Sequence, residues 1–562
     1  MAINKKCKQC NAEFEITDDD LGFLDKVSPS FADKKFAIPA PALCYKCRLQ
    51  RRFAWRNERN LFLRPSSKSG KPIVAAYPED SIYKIFSQDE WWADDWDAME
   101  FGADYDPSEP FFEQLFKLQK KVPRIALINV NSENSDYTNQ AAKNKNCYMS
   151  FDIGWCENAL YSKSCYSSKD IVDCFNCRDH CSFSYECIDC GNTNQSTNCV
   201  KCHDVFDCHF CYRIKGCRDC ILCSNMQNKQ YYIQNKEYTK EEYLKKKEEI
   251  GLGLWSSREK LKKEFEKLIQ GSVHKFATMF KCEACSGDNL SQCKNLQISF
   301  GANRCEDGKY LFYSEGQSDS YDDNFSGGEG GAALNYETIG CYMPYNSKFI
   351  FSSWTLSNSL YCNFCHSIKD CFGCVGIRNK QYCILNKQYS KDEYEKLVAK
   401  IIEKMQADRE WGEFFPTEHS PLPYNLSMAG DYFPLTKDKT QAKGYGWKDK
   451  TDTLIPAASY DIPDGIKDVG EDILQKVLVC EVSKRPYKIQ PQELAFYIQQ
   501  NIPIPHRHPE ERYEERFRSI DPLELYHRQC MNEGCKNEFE TTYALERPEK
   551  VYCESCYQKT IV

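Results

Sequence analysis

Two cysteine pairs near the start of the chain, Cys7-x2-Cys10 and Cys44-x2-Cys47, and two near its end, Cys530-x4-Cys535 and Cys553-x2-Cys556, have the spacing of metal knuckles. Each pair can put two thiolates on one ion, and four thiolates close a tetrahedron without leaving a position for substrate, so the chemistry expected is structural zinc, about two ions per chain. Behind Cys47 follows "RLQRRFAWRNERNLFLR", which places Arg48, Arg51, Arg52, Arg56 and Arg59 on a helix that starts at the metal. Guanidinium forks suit phosphate, which makes these five a candidate nucleic-acid surface. The alternative is pairing inside the molecule, with the acidic stretch 79–113 as the expected partner. Trp91, Trp92, Trp96 and Phe101 in that stretch read as packing residues.

A third ribbon is visible in worn form. "CEVSKRPYKIQPQELAFY" and "IPIPHRHPEERYEERF" repeat the N-terminal pattern, with Cys480, Ser483, His508 and Glu511 at the four ligand positions. This copy is expected to fold on Ile489, Leu494 and Phe496 without metal, and Cys480, His508 and Glu511 form a possible weak site. Arg512 and Arg516 stand where Arg48 and Arg52 stand in the first ribbon, so the helix face has a use beyond the metal.

The chain has 34 cysteines, and most lie between these ends. "NKQYYIQNKEYTKEEY" returns as "NKQYCILNKQYSKDEY" 151 residues later, which marks a duplicated module. Within it, cysteines recur every nine residues: Cys190, Cys199, Cys208 and Cys217, with Cys202, Cys211 and Cys220 three residues behind. No helical period fits, and the intervening Tyr, Val, Ile, Asp and Asn suit short strands and turns. The expectation is a parallel β-solenoid with coils of roughly 18–25 residues and an interior cysteine ladder. The duplication favours packing over ligation, because Cys217 is matched by Ile368 and Cys365 by Ile214. A local metal on Cys199, Cys202, Cys208 and Cys211, or an iron–sulfur cluster, is the alternative. His180, His203, His209 and His366 read as solvent-side turn residues.

The fold class expected is mainly β with α segments: two cysteine-ladder solenoid modules flanked by zinc-ribbon or treble-clef-like ends and helical hairpins. The divisions are a ribbon with its arginine helix at 1–72, an acidic aromatic connector at 73–145, the first module at 146–238 and a helical hairpin at 239–280. The second module follows at 281–389, then a helix and Pro/aromatic strap at 390–470, the worn ribbon at 471–528 and the last ribbon at 529–562. Thr239 with Glu242 and Ser390 with Glu393 are capping boxes that start helices.

A net charge of −8 argues against wholesale binding to nucleic acid or an anionic membrane. No secretion signal and no run of about 18 apolar residues is present, so the expected compartment is the cytoplasm. No phosphate loop, nucleophile elbow, HExxH or dinucleotide fingerprint occurs. The best enzymatic case is a carbohydrate-active β-helix with Asp170, Asp189 and Asp207 about one coil apart. The preferred expectation is a non-catalytic scaffold or adaptor for a macromolecular partner, protein before nucleic acid, with RNA, DNA or ribosome binding through Arg48–Arg59 as the competing one. Neither a membrane nor a small-molecule substrate is inferred.

Taken together, "CKQC…PALCYKC", "CFGCVGIRNKQYCILNKQYSKDEY" and "CKNEFETTYALERPEKVYCESCY" resemble the cysteine-rich zinc-ribbon and repeat proteins of candidate-phyla bacteria. The resemblance spans essentially the whole chain. It implies metal ribbons and a repeat body, and it carries no activity, substrate or partner.

Overall fold

From Ala141 to Met226 the chain buries a residue at nearly every third position, and the cysteines occupy many of these places. The residue before each buried one is left-handed: Asn198, Lys201, Asp204, Asp207 and Phe210 have φ between 50° and 56° and precede Cys199, Cys202, Val205, Cys208 and Cys211. A left-handed residue in every triplet bends the backbone at short, regular intervals. The chain therefore returns beside itself quickly, and the computed structural model shows how quickly. Glu157 pairs in parallel with Lys169 and Arg218 with Gln230; in the second module Lys294 pairs with Glu306 and Trp354 with His366. The register step is twelve residues, or four triplets.

The model describes residues 2–449 and 460–561, so positions 450–459 of the expected strap, and the two terminal residues, lie outside it. The described residues form a mixed fold, in which two large parallel sheets carry the two cysteine-rich modules.

The twelve-residue step corrects the expected coil of 18–25 residues. Nine residues is three of the four triplets, so cysteines nine apart do not stack. Those twelve apart do: Cys208 lies opposite Cys220, and the bridges Ile188–Val200, Val200–Tyr212 and Tyr212–Ser224 put Cys187, Cys199, Cys211 and Cys223 in one column. The nine-residue rhythm has another cause. The Cys190 thiol donates to the carbonyl of Cys199 at 3.3 Å, Cys199 to Cys208 at 3.4 Å and Cys202 to Cys211 at 3.3 Å. The slip after Cys174 is a thirteen-residue step, Lys169 to Ser182, where Asp179 and His180 are both left-handed. In the second module the step widens to fifteen between Tyr321 and Tyr336, across the glycine-rich stretch.

Asparagine favours the left-handed conformation, and at these corners it also links successive returns. Asn134, Asn146 and Asn158 each donate an amide to the residue twelve further on, ending at Asp170, at 2.9, 3.3 and 2.6 Å. Asn346, Asn358 and Asp370 repeat the device at 2.8 and 3.0 Å.

The chain divides into two compact units built from distant segments, Met1–Leu127 with Ala277–Asp449 and Ile128–Phe276 with Lys450–Val562. The first contains the N-terminal ribbon and the second module, together with the helices Phe111–Lys121 and Lys391–Asp408. Its Pro/aromatic strap is pressed inward, with Trp411, Phe414 and Phe415 buried beside Tyr361 and Trp55. Trp91, Trp92 and Trp96 pack on the second module around the Arg378 guanidinium, 5.4–5.8 Å from each ring. The second unit contains the first module and the helical hairpin Lys240–Ile250 and Trp255–Gly271, whose Leu261 and Phe265 bury against Phe210, Tyr212 and Ile221. The hairpin's return helix begins at Trp255, and the Ser256 backbone N–H and hydroxyl each donate to Asp464 at 2.7 Å. The capping boxes of Thr239 and Ser390 form as expected.

Cys217 and its counterpart Ile368 are both interior, at 0% and 3% exposure. Cys217→Val, which nearly conserves volume, is expected to cost less than about 1.5 kcal/mol. Cys217→Lys, which buries an unpaired charge, is expected to cost at least about 3 kcal/mol. Chemical denaturation of the two variants measures both, and equal costs would remove the interior assignment.

Candidate metal centres and their arginine clamps

Cys7 ends the strand Ile3–Lys6, and its knuckle turns back to the strand Glu13–Ile16 through Asn11, at φ 62°. Cys44 is the N-cap of the helix Tyr45–Phe53, and Cys47 lies in that helix's first turn. The four sulfurs lie within 4.8 Å of one another. Cys10 Sγ and Cys44 Sγ are 3.7 Å apart, close to the roughly 3.8 Å edge of a tetrahedron with metal–sulfur bonds of about 2.3 Å. The C-terminal ribbon is built alike. Cys530 follows the strand Tyr526–Gln529, Cys553 caps the helix Glu554–Gln558, and Cys535 Sγ stands 3.9 Å from Cys553 Sγ. Its sulfurs also lie within 4.8 Å of one another. Both groups fit a metal ion on four sulfurs, with no protein position left open.

The thiols of each group divide: burial raises Cys10 and Cys556 and hydrogen bonding by Cys44 raises Cys47, while others are lowered. Hydrogen bonding by Cys47, chiefly, holds Cys44 down to about 5. Burial would raise Cys7, but the backbone N–H groups of Cys44, Cys10 and Gln9 bring it below an ordinary thiol. At the other end burial opposes ionisation of Cys553, and Ser555 and Asn537 outweigh it, to about 6. Asn532 Nδ2 donates to Cys556 Sγ at 3.3 Å. The ribbon is tied to its unit by the strand Lys550–Tyr552, which pairs in parallel with Val273–Lys275.

The helix stops at Phe53, so of the five arginines expected on it only Arg48, Arg51 and Arg52 are helical, and all five, expected to face phosphate, are engaged within the protein. Arg48 donates to Asp322 at 2.7 Å, and Arg52, wholly buried, joins Asp322 at 2.7 Å, Glu337 at 2.8 Å and Asn324 at 2.6 Å. Arg51 bridges Glu337 at 2.9 Å and Glu413 at 2.8 Å, Arg56 pairs with Glu58 at 2.8 Å and Arg59 with Asp431 at 2.7 Å. The acidic stretch 79–113 supplies none of these partners; they come mainly from the second module and the strap. Stacking completes the docking, with Phe23 on Tyr321 at 3.9 Å between ring centres and Tyr45 on Tyr310 at 5.0 Å.

The worn ribbon repeats the clamp. Arg512 and Arg516 reach Asp173 of the first module at 3.1 and 2.7 Å, and Arg512 also reaches Glu493 at 3.2 Å. Asp173 and Asp322 are both buried, left-handed corner residues. Cys480, His508 and Glu511 do not gather into a metal-sized group among the described residues. His508 Nδ1 accepts the backbone N–H of Glu510 at 3.0 Å and so caps its helix, while Cys480 is buried with Ile489, Leu494 and Phe496 in one apolar cluster. Sequence reasoning did not find Asp173, Asp322 or Glu337. The arginines retained on two ribbon copies imply acids to receive them, but the 151-residue offset sets Asn324 against Asp173 and Ile171 against Asp322 and so does not pick those acids out.

Cys199, Cys202, Cys208 and Cys211 likewise form no metal-sized group among the described residues, and each donates its S–H to backbone carbonyls. His180 and His203 are exposed as expected, whereas two histidines need correction. His209 is buried between Asp207 at 2.9 Å and Thr197 at 3.0 Å, and His366 is buried among Trp91, Trp92 and Trp354. The aspartates proposed to line one face do not. Asp170 and Asp207 share a column but stand three register steps apart, and Asp189 occupies another, beside Asn176 at 2.6 Å.

No protein-family profile matches the chain, and no curated protein does. Among solved structures, one named as an acetyltransferase, from Desulfovibrio desulfuricans G20, is 7% identical, with a TM-score of 0.11. The match covers 44% of this chain and 66% of that one, just under two thirds of its length. So low a score carries no argument about fold or activity. No helix among the described residues is long and apolar enough to cross a membrane.

Burial would raise Asp322, but Arg48 and Arg52 outweigh it and hold the carboxyl below its usual range. That contribution to stability is present at neutral pH and is lost as pH falls through the lowered folded-state value. Asp322→Asn is expected to destabilise its unit by about 3–5 kcal/mol at pH 7, and Asp173→Asn the other unit by a similar amount. Denaturant melts of both variants measure this; a loss under about 1 kcal/mol would show that the clamps are dispensable.

Proposed function

We propose that the protein is a non-catalytic scaffold whose terminal four-cysteine groups bind structural zinc and whose cysteine-rich modules are β-solenoids that present extended faces to a protein partner. The observation that carries this reading is the closed character of both terminal groups: four cysteine sulfurs each and no open ligand position. A catalytic zinc site keeps one position free. Zinc is preferred over iron because each group is an isolated pair of knuckles and helix N-termini. The solenoid reading is supported by the repeated twelve-residue register and the buried residue in every triplet.

A protein partner is favoured over nucleic acid because the basic residues that suggested phosphate are already neutralised by acids of the same chain. The net charge of −8 points the same way. A cytoplasmic setting accords with so many cysteines that are free of disulfides among the described residues.

Elemental analysis of protein purified under reducing conditions is expected to give two zinc ions and no iron, with 26 titratable thiols, the 34 of the sequence less eight ligands. Cys44→Ser with Cys47→Ser should remove one zinc and leave the other. Four zinc ions, or stoichiometric iron, would overturn the assignment. For the partner class, Arg51→Gln, Arg52→Gln and Arg56→Gln are expected to lower thermal stability without changing retention on RNA. Salt-dependent RNA binding by the wild type that these changes abolish would restore the nucleic-acid reading.

A further inference from the structure

The second module opens with three sulfur residues at the triplet spacing, Met279, Cys282 and Cys285, and a fourth, Cys293, follows on the next return. They belong to one cluster: Cys293 and Cys305 are buried with Leu290, Leu296 and Leu311, and Met279, Cys282 and Cys285 pack against them, partly buried. Outside the two ribbons these are the cysteines that solvent reaches; every other described cysteine is buried. Their position explains this. Met279–Phe280 pairs with Leu290–Ser291 on one side, and Glu283 bridges Lys294, so the first return is covered by the second, and among the described residues no strand pairs with it on the other side.

Interior thiols such as Cys208 donate toward two carbonyls, two residues back and nine ahead, at 3.4 and 3.7 Å. Cys282 and Cys285 donate to carbonyls two residues back, of Phe280 at 3.4 Å and Glu283 at 3.2 Å, and both contacts are solvent-exposed. Water can replace an S–H at such a carbonyl, so giving up the proton strands no buried acceptor. Cys282, Cys285 and Cys293 do not bring three sulfurs to metal size among the described residues, so the site offers a thiol pair with a thioether nearby, which selects soft ions over Mg²⁺ or Ca²⁺, and a monovalent ion needs no more than two thiolates.

We propose that Cys282 and Cys285, backed by Met279 and Cys293, form a binding site for a soft monovalent metal ion, Cu(I), distinct from both zinc ribbons. Two thiols lose their protons to solvent, two sulfur–copper bonds form, and copper keeps its oxidation state. The site lies at the open end of the module's interior.

The test uses the full chain with its ribbon metals loaded, under anaerobic reducing conditions, titrated with Cu(I) supplied as its acetonitrile complex in competition with a Cu(I) chelator. One equivalent of copper is expected to be retained with no release of zinc, and X-ray absorption at the copper edge is expected to show sulfur ligands only. Cys282→Ser with Cys285→Ser should lose that equivalent while keeping both ribbon metals, which also reports that the variant is folded. Cys208→Ser with Cys211→Ser should keep it. No retained copper, copper bound equally by the Cys282/Cys285 variant, or copper taken up with matching loss of zinc would each overturn the proposal.

Discussion

In each cysteine-rich module one residue of nearly every triplet is turned inward and buried, and most of the sequence's peculiarity follows from that. Along the twelve-residue register that inward residue is most often cysteine, with Ala, Val, Ile, Leu or Met at other triplets. Cysteine is small, apolar enough for burial and able to offer a weak hydrogen bond to a carbonyl. Serine meets the same geometry with a stronger donor, as where Ser150 and Ser314 reach carbonyls nine residues on at 3.0 and 2.9 Å. Cysteine abundance here is thus a packing solution, separate from the eight thiols gathered for metal.

The two ribbon copies show what a metal ion on the four N-terminal sulfurs would serve. In the N-terminal copy four sulfurs fix the knuckle and the helix start, and the helix then delivers Arg48 and Arg52 to Asp322. In the worn copy an apolar cluster around Cys480 and a capping histidine hold an equivalent helix, and Arg512 and Arg516 still reach Asp173. The feature common to both is the arginine fork on a buried aspartate, not the ion. A buried charge pair tolerates loss of neither member, whereas a ligand set can be replaced wherever hydrophobic burial fixes the same helix.

Both terminal sulfur groups were legible because four spaced cysteines leave few alternatives, and the capping boxes and the hairpin were legible because their signals are local. The register was not. A period of nine is what the sequence displays most clearly, yet nine counts the reach of a thiol to a carbonyl, and only the backbone pairing reveals the return of twelve. The destination of the arginines was out of reach for a different reason. Arg48 and Asp322 are separated by 274 residues, and no local pattern couples positions that far apart.

That separation also bears on the order in which the molecule can be completed. At about 5–20 residues per second, the 274 residues from Arg48 to Asp322 take roughly 14–55 s to leave the ribosome. Throughout that interval the first ribbon, already able to hold its metal, carries a helix whose arginines have no acid to enter. The nascent chain must therefore keep the ribbon waiting with its docking face in water, and the last of its clamps closes only when the strap acids Glu413 and Asp431 have been made.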